Sequence, residues 1–157
     1  MIRVARATAK AHALPEDLVC AVCEHESGWD PWAARYEPAF FALYIHPAHP
    51  KTPTTEEIDA AESFGLMQIM GQTAREFGFK GKYFTELCDP LVGIEYGCRK
   101  LERAVRFHPN DVRAALLVYN GGGNPQYPEL VLARLANYEA VSPAVEAPDP
   151  DPAKASA

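Results

Sequence analysis

Asp89-Pro90 followed by apolar residues at Leu91, Ile94, Cys98, Leu101 and Val105 constrains this chain more than any other stretch. Steps of three and four put these side chains on one face of an α-helix, and Pro fits its first turn because no intrahelical N–H is needed there. A helix with one apolar stripe must bury it against something else. Other segments offer partners. Leu14-Pro15-Glu16-Asp17 starts a second helix, with acids near its positive end and with Leu18, Val19, Val22 and Glu26 at helical spacing. Asn110 reads as the cap of a helix from Val112 to Tyr119, Pro128 to Tyr138 as another, and Thr73 to Phe77 as a short one closed by Gly78. No alternation of apolar and polar residues marks a sheet, so a mainly α fold with little or no sheet is expected.

The segment from Pro31 to Ser63 breaks this pattern. It is first aromatic and Pro-rich, then polar, with a short helix expected in Thr55 to Ala61 capped by Thr54 or Thr55. A connection of that length suggests a lobe beside a cleft. From Ser142 onward the chain is Pro, Ala and acid, and reads as a disordered tail or linker. The expected organisation is one domain over residues 1–141 and a tail over 142–157. The formal charge is −6, the basic residues form no dense patch, and no apolar run spans a bilayer. A nucleic-acid partner and membrane insertion are therefore not expected. The N-terminal stretch does not read as a secretory signal. Cys20-x-x-Cys23 lacks a matching second pair in Cys88 and Cys98, so buried free thiols are expected, with no metal and no cofactor.

Three stretches carry candidate chemistry. In "HESGWDPWA", Glu26 lies four residues after Val22 and eight after Leu18, beside the buried stripe. Taken alone it reads first as a structural or surface carboxylate. Desolvated there, it would hold its proton near neutral pH and serve as a general acid. In "SFGLMQIM", Gln68 is an amide among apolar residues, either bonded to its own backbone or presented to a sugar, and Met67 and Met70 read as packing. In "LVYNGGGNPQY", a helix ends at Tyr119-Asn120 and runs into three glycines, more than a helix cap requires. The rings of Trp29, Trp32, Tyr36, Phe40, Phe41 and Tyr44 read mostly as core, with one or two free to stack on sugars. Arg35 and Glu37 form a plausible ion pair, His25 reads as solvated, and His46 with His49 lacks a third metal ligand. Cys23 with His25 cannot form a nucleophilic pair, because neighbours two apart on a helix diverge.

Glu-Ser with Gly-Trp-Asp-Pro-x-Ala, then Ser-x-Gly-Leu-Met-Gln-Ile-Met-x-x-Thr-Ala, then Tyr-Asn-x-Gly resembles the soluble lytic transglycosylase family in both motif and order, over roughly Leu14 to Tyr138. The resemblance implies a lysozyme-like fold, related to goose-type lysozyme, with a substrate cleft. It implies Glu26 as the catalytic acid/base, Ser27 holding the site, Gln68 contacting the sugar chain, Met67 lining the groove, Tyr119 near the acid and Asn120 supporting the loop. The implied reaction cleaves peptidoglycan glycan strands between N-acetylmuramic acid and N-acetylglucosamine, closing a 1,6-anhydro ring without water. The alternatives are a muramidase in which Asp59 or Glu62 activates water alongside Glu26, and a lysozyme-like module that binds glycan without cutting. The chain departs from the family in its long insertion before the second motif and in Val-Tyr-Asn-Gly-Gly-Gly. A monomer acting on the bacterial wall after release or delivery is expected, with a phage or prophage origin as one route.

Overall fold

The computed structural model describes residues 1–48 and 52–139, so the tail from Ser142, and His49, lie outside the described residues. Helix α1 (Ile2–Ala11) packs on α2 (Glu16–Ser27). Strand β1 (Ala34–Tyr36) leads through α3 (Pro38–Phe40) into a π-helical turn, Phe41–Ile45. Helix α4 (Thr55–Ala60) precedes β2 (Glu62–Phe64) and β3 (Ile69–Met70), and α5 (Gly71–Glu76) follows. Helices α6 (Pro90–Phe107), α7 (Val112–Tyr119) and α8 (Tyr127–Leu132) complete the domain. The helical expectation holds. The sheet is small and antiparallel, in the order β1-β2-β3, with Arg35 opposite Ser63 and Ser63 opposite Met70. Among the described residues no helix is long and apolar enough to cross a membrane.

Helix α6 starts as its sequence requires, with the Asp89 carboxylate accepting from Leu91 N at 2.8 Å and Val92 N at 3.3 Å. Its buried face is Ile94, Cys98, Leu101 and Ala104. Burying a Leu or Ile side chain contributes about 1.5–3 kcal/mol, more than propensity differences along the helix, so this face sets how α6 sits. Leu91 departs from the expected stripe at 65% exposed, because the first turn projects beyond the core. Helix α2 is buried on every side from Leu18 to Cys23 and stops at Gly28, whose φ of 58° is the left-handed cap. Pro15 is the cap residue of α2 and lies just outside its first turn. All four cysteines are buried free thiols.

Other boundaries differ from expectation for local reasons. Asp111, not Asn110, caps α7, accepting from Ala114 N at 2.9 Å, while Asn110 takes a left-handed turn at φ 70°. The segment expected as one helix from Pro128 to Tyr138 divides into α8 and a 3₁₀ turn at Leu135–Asn137. Thr54 caps α4 in a full capping box with Glu57. None of the six rings from Trp29 to Tyr44 is fully buried; Trp32 is 75% exposed and Tyr44 66%. The aromatic lobe is thus a surface feature, with Ile45 as its buried anchor.

At the end of α1, His12 bonds Glu102 at 2.8 Å and Glu95 at 3.0 Å, tying α1 to α6. Burial opposes its charge, but the bonds to Glu102 and Glu95 together raise its pKa above the ordinary 6.5. A raised histidine contributes stability that is full below pH 6.5 and is lost as pH rises through the folded value. Melting temperatures of wild type minus His12→Gln should therefore narrow as pH rises from 6 to 9. The expected loss is on the order of 1 kcal/mol, or about 3 °C. A constant difference across that range would contradict the bridge.

The turn joining β2 to β3 is locked by close approach. Gly65 has φ 72°, and a Cβ there would lie 2.4 Å from the Leu87 carbonyl oxygen. Gly65→Ala should lower the denaturant-derived unfolding free energy by about 2–3 kcal/mol, the sum of backbone strain and overpacking. A change under about 0.5 kcal/mol would mean that the turn accommodates a side chain.

Candidate active site

A cleft of about 830 Å³ has Glu26, Tyr119 and Tyr127 on one side and Arg35, Glu37, Phe40 and Tyr44 of the aromatic lobe among its lining. Glu26 occupies the last turn of α2, where the all-round burial of that helix gives way to the cap at Gly28. The Tyr127 hydroxyl donates to its Oε1 at 2.6 Å. Burial raises the Glu26 pKa above the usual carboxylate value, against the Tyr127 hydrogen bond and the charges of Lys100 and Arg35. Burial that favours the protonated form of a carboxyl, with one donor to receive its anion, suits a group that gives up a proton and regains one.

The motif residues brace this carboxyl from below. The Ser27 hydroxyl donates to the carbonyls of Cys23 and Leu66, both at 3.0 Å, fastening the end of α2 to the glycine turn. The Gln68 carbonyl accepts from Ser63 Oγ at 2.9 Å, and its amide nitrogen donates to Ala33 and Gly65 carbonyls at 3.0 Å. These bonds hold Gln68 at φ 46°, a conformation few residues with a side chain adopt. Gln68 lines the cleft while its amide binds the protein itself. Met67, expected along the groove, is fully buried, and a Cβ on Gly97 would lie 2.3 Å from its sulfur. Met70 is the methionine that faces the cleft, since it shares the sheet face of Ser63.

Tyr119 lies near Glu26, yet its hydroxyl donates to the Met67 carbonyl at 2.7 Å and its ring stacks on Tyr127 at 6.3 Å. Asn120 accepts from Asn124 N at 3.0 Å, closing the glycine-rich loop. That closure delivers Tyr127, so the phenol bonded to the acid is the one after the loop. The sequence signal for Tyr127 is its position immediately after the glycine-rich loop, at the end of "LVYNGGGNPQY". His25, read as solvated, lines the cleft with its ring edge-on to Tyr127 at 5.0 Å and its Nδ1 buried without a hydrogen-bond partner among the described residues. Burial, chiefly, lowers its pKa.

Asp59 and Glu62 do not line the cleft. Side chains alternate along β2, so with Ser63 facing the cleft Glu62 faces the other way, opposite Tyr36. Burial raises both carboxyls, with Glu56 adding to Asp59 and Asp59 adding to Glu62. Among the described residues the other carboxylate in the cleft is Glu37, which accepts from Arg35 Nε at 2.6 Å. Cys23 is fully buried and burial drives its thiol pKa upward, which removes it as a nucleophile.

A family model described as the transglycosylase SLT domain matches residues 3–130. Comparison with curated proteins and with solved structures gave no match. The matched span holds Glu26, the glycine turn, the Tyr-Asn loop and Tyr127, the elements that build the cleft. This chain belongs to the transglycosylase SLT domain family.

Proposed function

We propose that the protein cleaves the glycan strand of peptidoglycan between N-acetylmuramic acid and N-acetylglucosamine without consuming water, with Glu26 as the sole acid/base. The observation that carries this reading is the part-buried Glu26 carboxyl bonded by Tyr127 at 2.6 Å in a cleft of about 830 Å³. In the first half of the reaction Glu26 gives its proton to the bridging oxygen as the bond to the muramic C1 breaks. The Tyr127 hydroxyl then stabilises the carboxylate. In the second half the muramic 6-hydroxyl adds to C1 and returns its proton to Glu26, leaving a 1,6-anhydro end. Ser27, Gln68, Tyr119 and Asn120 keep the acid and its loop in register. Phe40 and Tyr44, 4.9 Å apart on the cleft rim, supply apolar surface for sugar faces.

One observation favours a hydrolytic second reading. Glu37 lines the same cleft and is a carboxylate with which an inverting enzyme could activate water. Its tie to Arg35 supports a structural role instead, since a paired carboxylate is a weak base. Action on the bacterial wall follows from the substrate, and phage or prophage delivery is part of the same proposal.

Turbidity clearing of purified peptidoglycan separates these readings. Glu26→Gln should lose about 10³-fold in rate with its melting temperature retained. Glu37→Gln should stay within about threefold of wild type. A Glu26→Gln protein of full activity would contradict the assignment, and a Glu37→Gln protein as inactive as Glu26→Gln would favour the hydrolase.

A further inference from the structure

The cations of α6 differ in how they are matched. Arg99 pairs with Glu95 at 2.8 Å and Arg106 with Glu102 at 2.5 Å. Lys100 lines the cleft with Glu26 and, among the described residues, has neither an ion pair nor a hydrogen bond. Its ammonium lies 4.6 Å from the centroid of the Tyr119 ring, which stacks on Tyr127, the donor to Glu26. An ammonium that is partly withdrawn from water and has no ion-pair or hydrogen-bond partner is unfavourable, and a ring face offsets only part of that.

We propose that Lys100 is a positioning residue for Glu26, supplying from α6 the positive charge against which the Glu26 carboxylate forms between the two proton transfers. This rests on Glu26 being the acid/base. The balance is simple: one proton leaves Glu26 as the bond from muramic C1 to the bridging oxygen breaks, and one returns from the 6-hydroxyl as the O6–C1 bond forms. Lys100 keeps its proton throughout and touches no reacting atom.

The other groups facing Glu26 leave this role open. Tyr127 from α8 donates a hydrogen bond but carries no charge. Arg35 from β1 is 70% exposed and already paired with Glu37, so solvent and its partner screen it. Tyr119 from α7 is directed at the Met67 carbonyl, and Cys23 and His25 on α2 are respectively a buried thiol and an imidazole whose charge burial disfavours. In agreement, burial lowers the Lys100 pKa while Glu26 raises it, and Lys100 lowers that of Glu26.

Carboxyl-carbon NMR titration of Glu26 and pH–rate profiles on purified peptidoglycan test this in Lys100→Met, Lys100→Gln and Lys100→Arg. In the Met and Gln variants Glu26 should titrate at higher pH than in wild type, with the alkaline limb of kcat/KM moving the same way. Their kcat should fall on the order of tenfold with KM within about twofold. Lys100→Arg should restore both profile and rate. An unmoved Glu26 titration overturns the proposal whatever the activity, because that readout needs no turnover. So does a raised KM with unchanged kcat and profile, the signature of a substrate-anion contact. If Gln rather than Met is the variant that folds, it carries the same test. Failure of the underlying reading is seen separately, as activity surviving in Glu26→Gln.

Discussion

The 2.6 Å hydrogen bond from Tyr127 to Glu26 joins residues 101 positions apart, and much of the molecule serves to make it possible. Helix α2 must be buried all round so that its last turn brings a carboxyl out of water. The loop after α7 must close so that Tyr127 opens α8 at the right place. Asn120 closes it through the amide of Asn124, and Tyr119 fixes the end of α7 by donating to the Met67 carbonyl. The glycine turn completes the frame, since Ser27 reaches the Leu66 carbonyl across it. The ties of Tyr119, Ser27 and Asn120 each join a side chain to backbone, the first buried, the second part-buried and the third exposed, and together they brace the site before any substrate arrives.

Electrostatics divide the cleft into two unlike sides. On the helical side burial favours a protonated Glu26, with Tyr127 and Lys100 placed to receive its anion. On the lobe side Arg35 and Glu37 neutralise one another near solvent. Such an arrangement suits one acid/base that cycles its proton more than two carboxylates with divided roles. In the proposed reaction the substrate's own hydroxyl serves as the nucleophile in place of water.

Much of this was legible in the sequence because long helices announce themselves. The α6 stripe, the start of α2 and the capping box of α4 follow from spacing and capping residues alone. Helix α1 was not expected, since its buried residues are Ala5 and Ala9, and an alanine stripe is a weak apolar signal. The sheet was invisible because strands of two or three residues show no alternation to read. That same shortness made Glu62 look available to the cleft, when the pleat turns it away. Glu26, Ser27, Gln68, Tyr119 and Asn120 stand out through their motifs, whereas Tyr127 and Lys100 depend on tertiary packing: one on how a glycine-rich loop closes, the other on which face of α6 meets the cleft.

The proposal on which everything else turns is that Glu26 gives one proton to the bridging oxygen and regains one from the muramic 6-hydroxyl without a water molecule entering. Digestion of purified peptidoglycan in ¹⁸O-labelled water, followed by mass spectrometry of the released muropeptides, tests it most directly. The account predicts muramic ends in the anhydro form, lighter by one water and free of ¹⁸O. Reducing muramic ends carrying one ¹⁸O atom would contradict it.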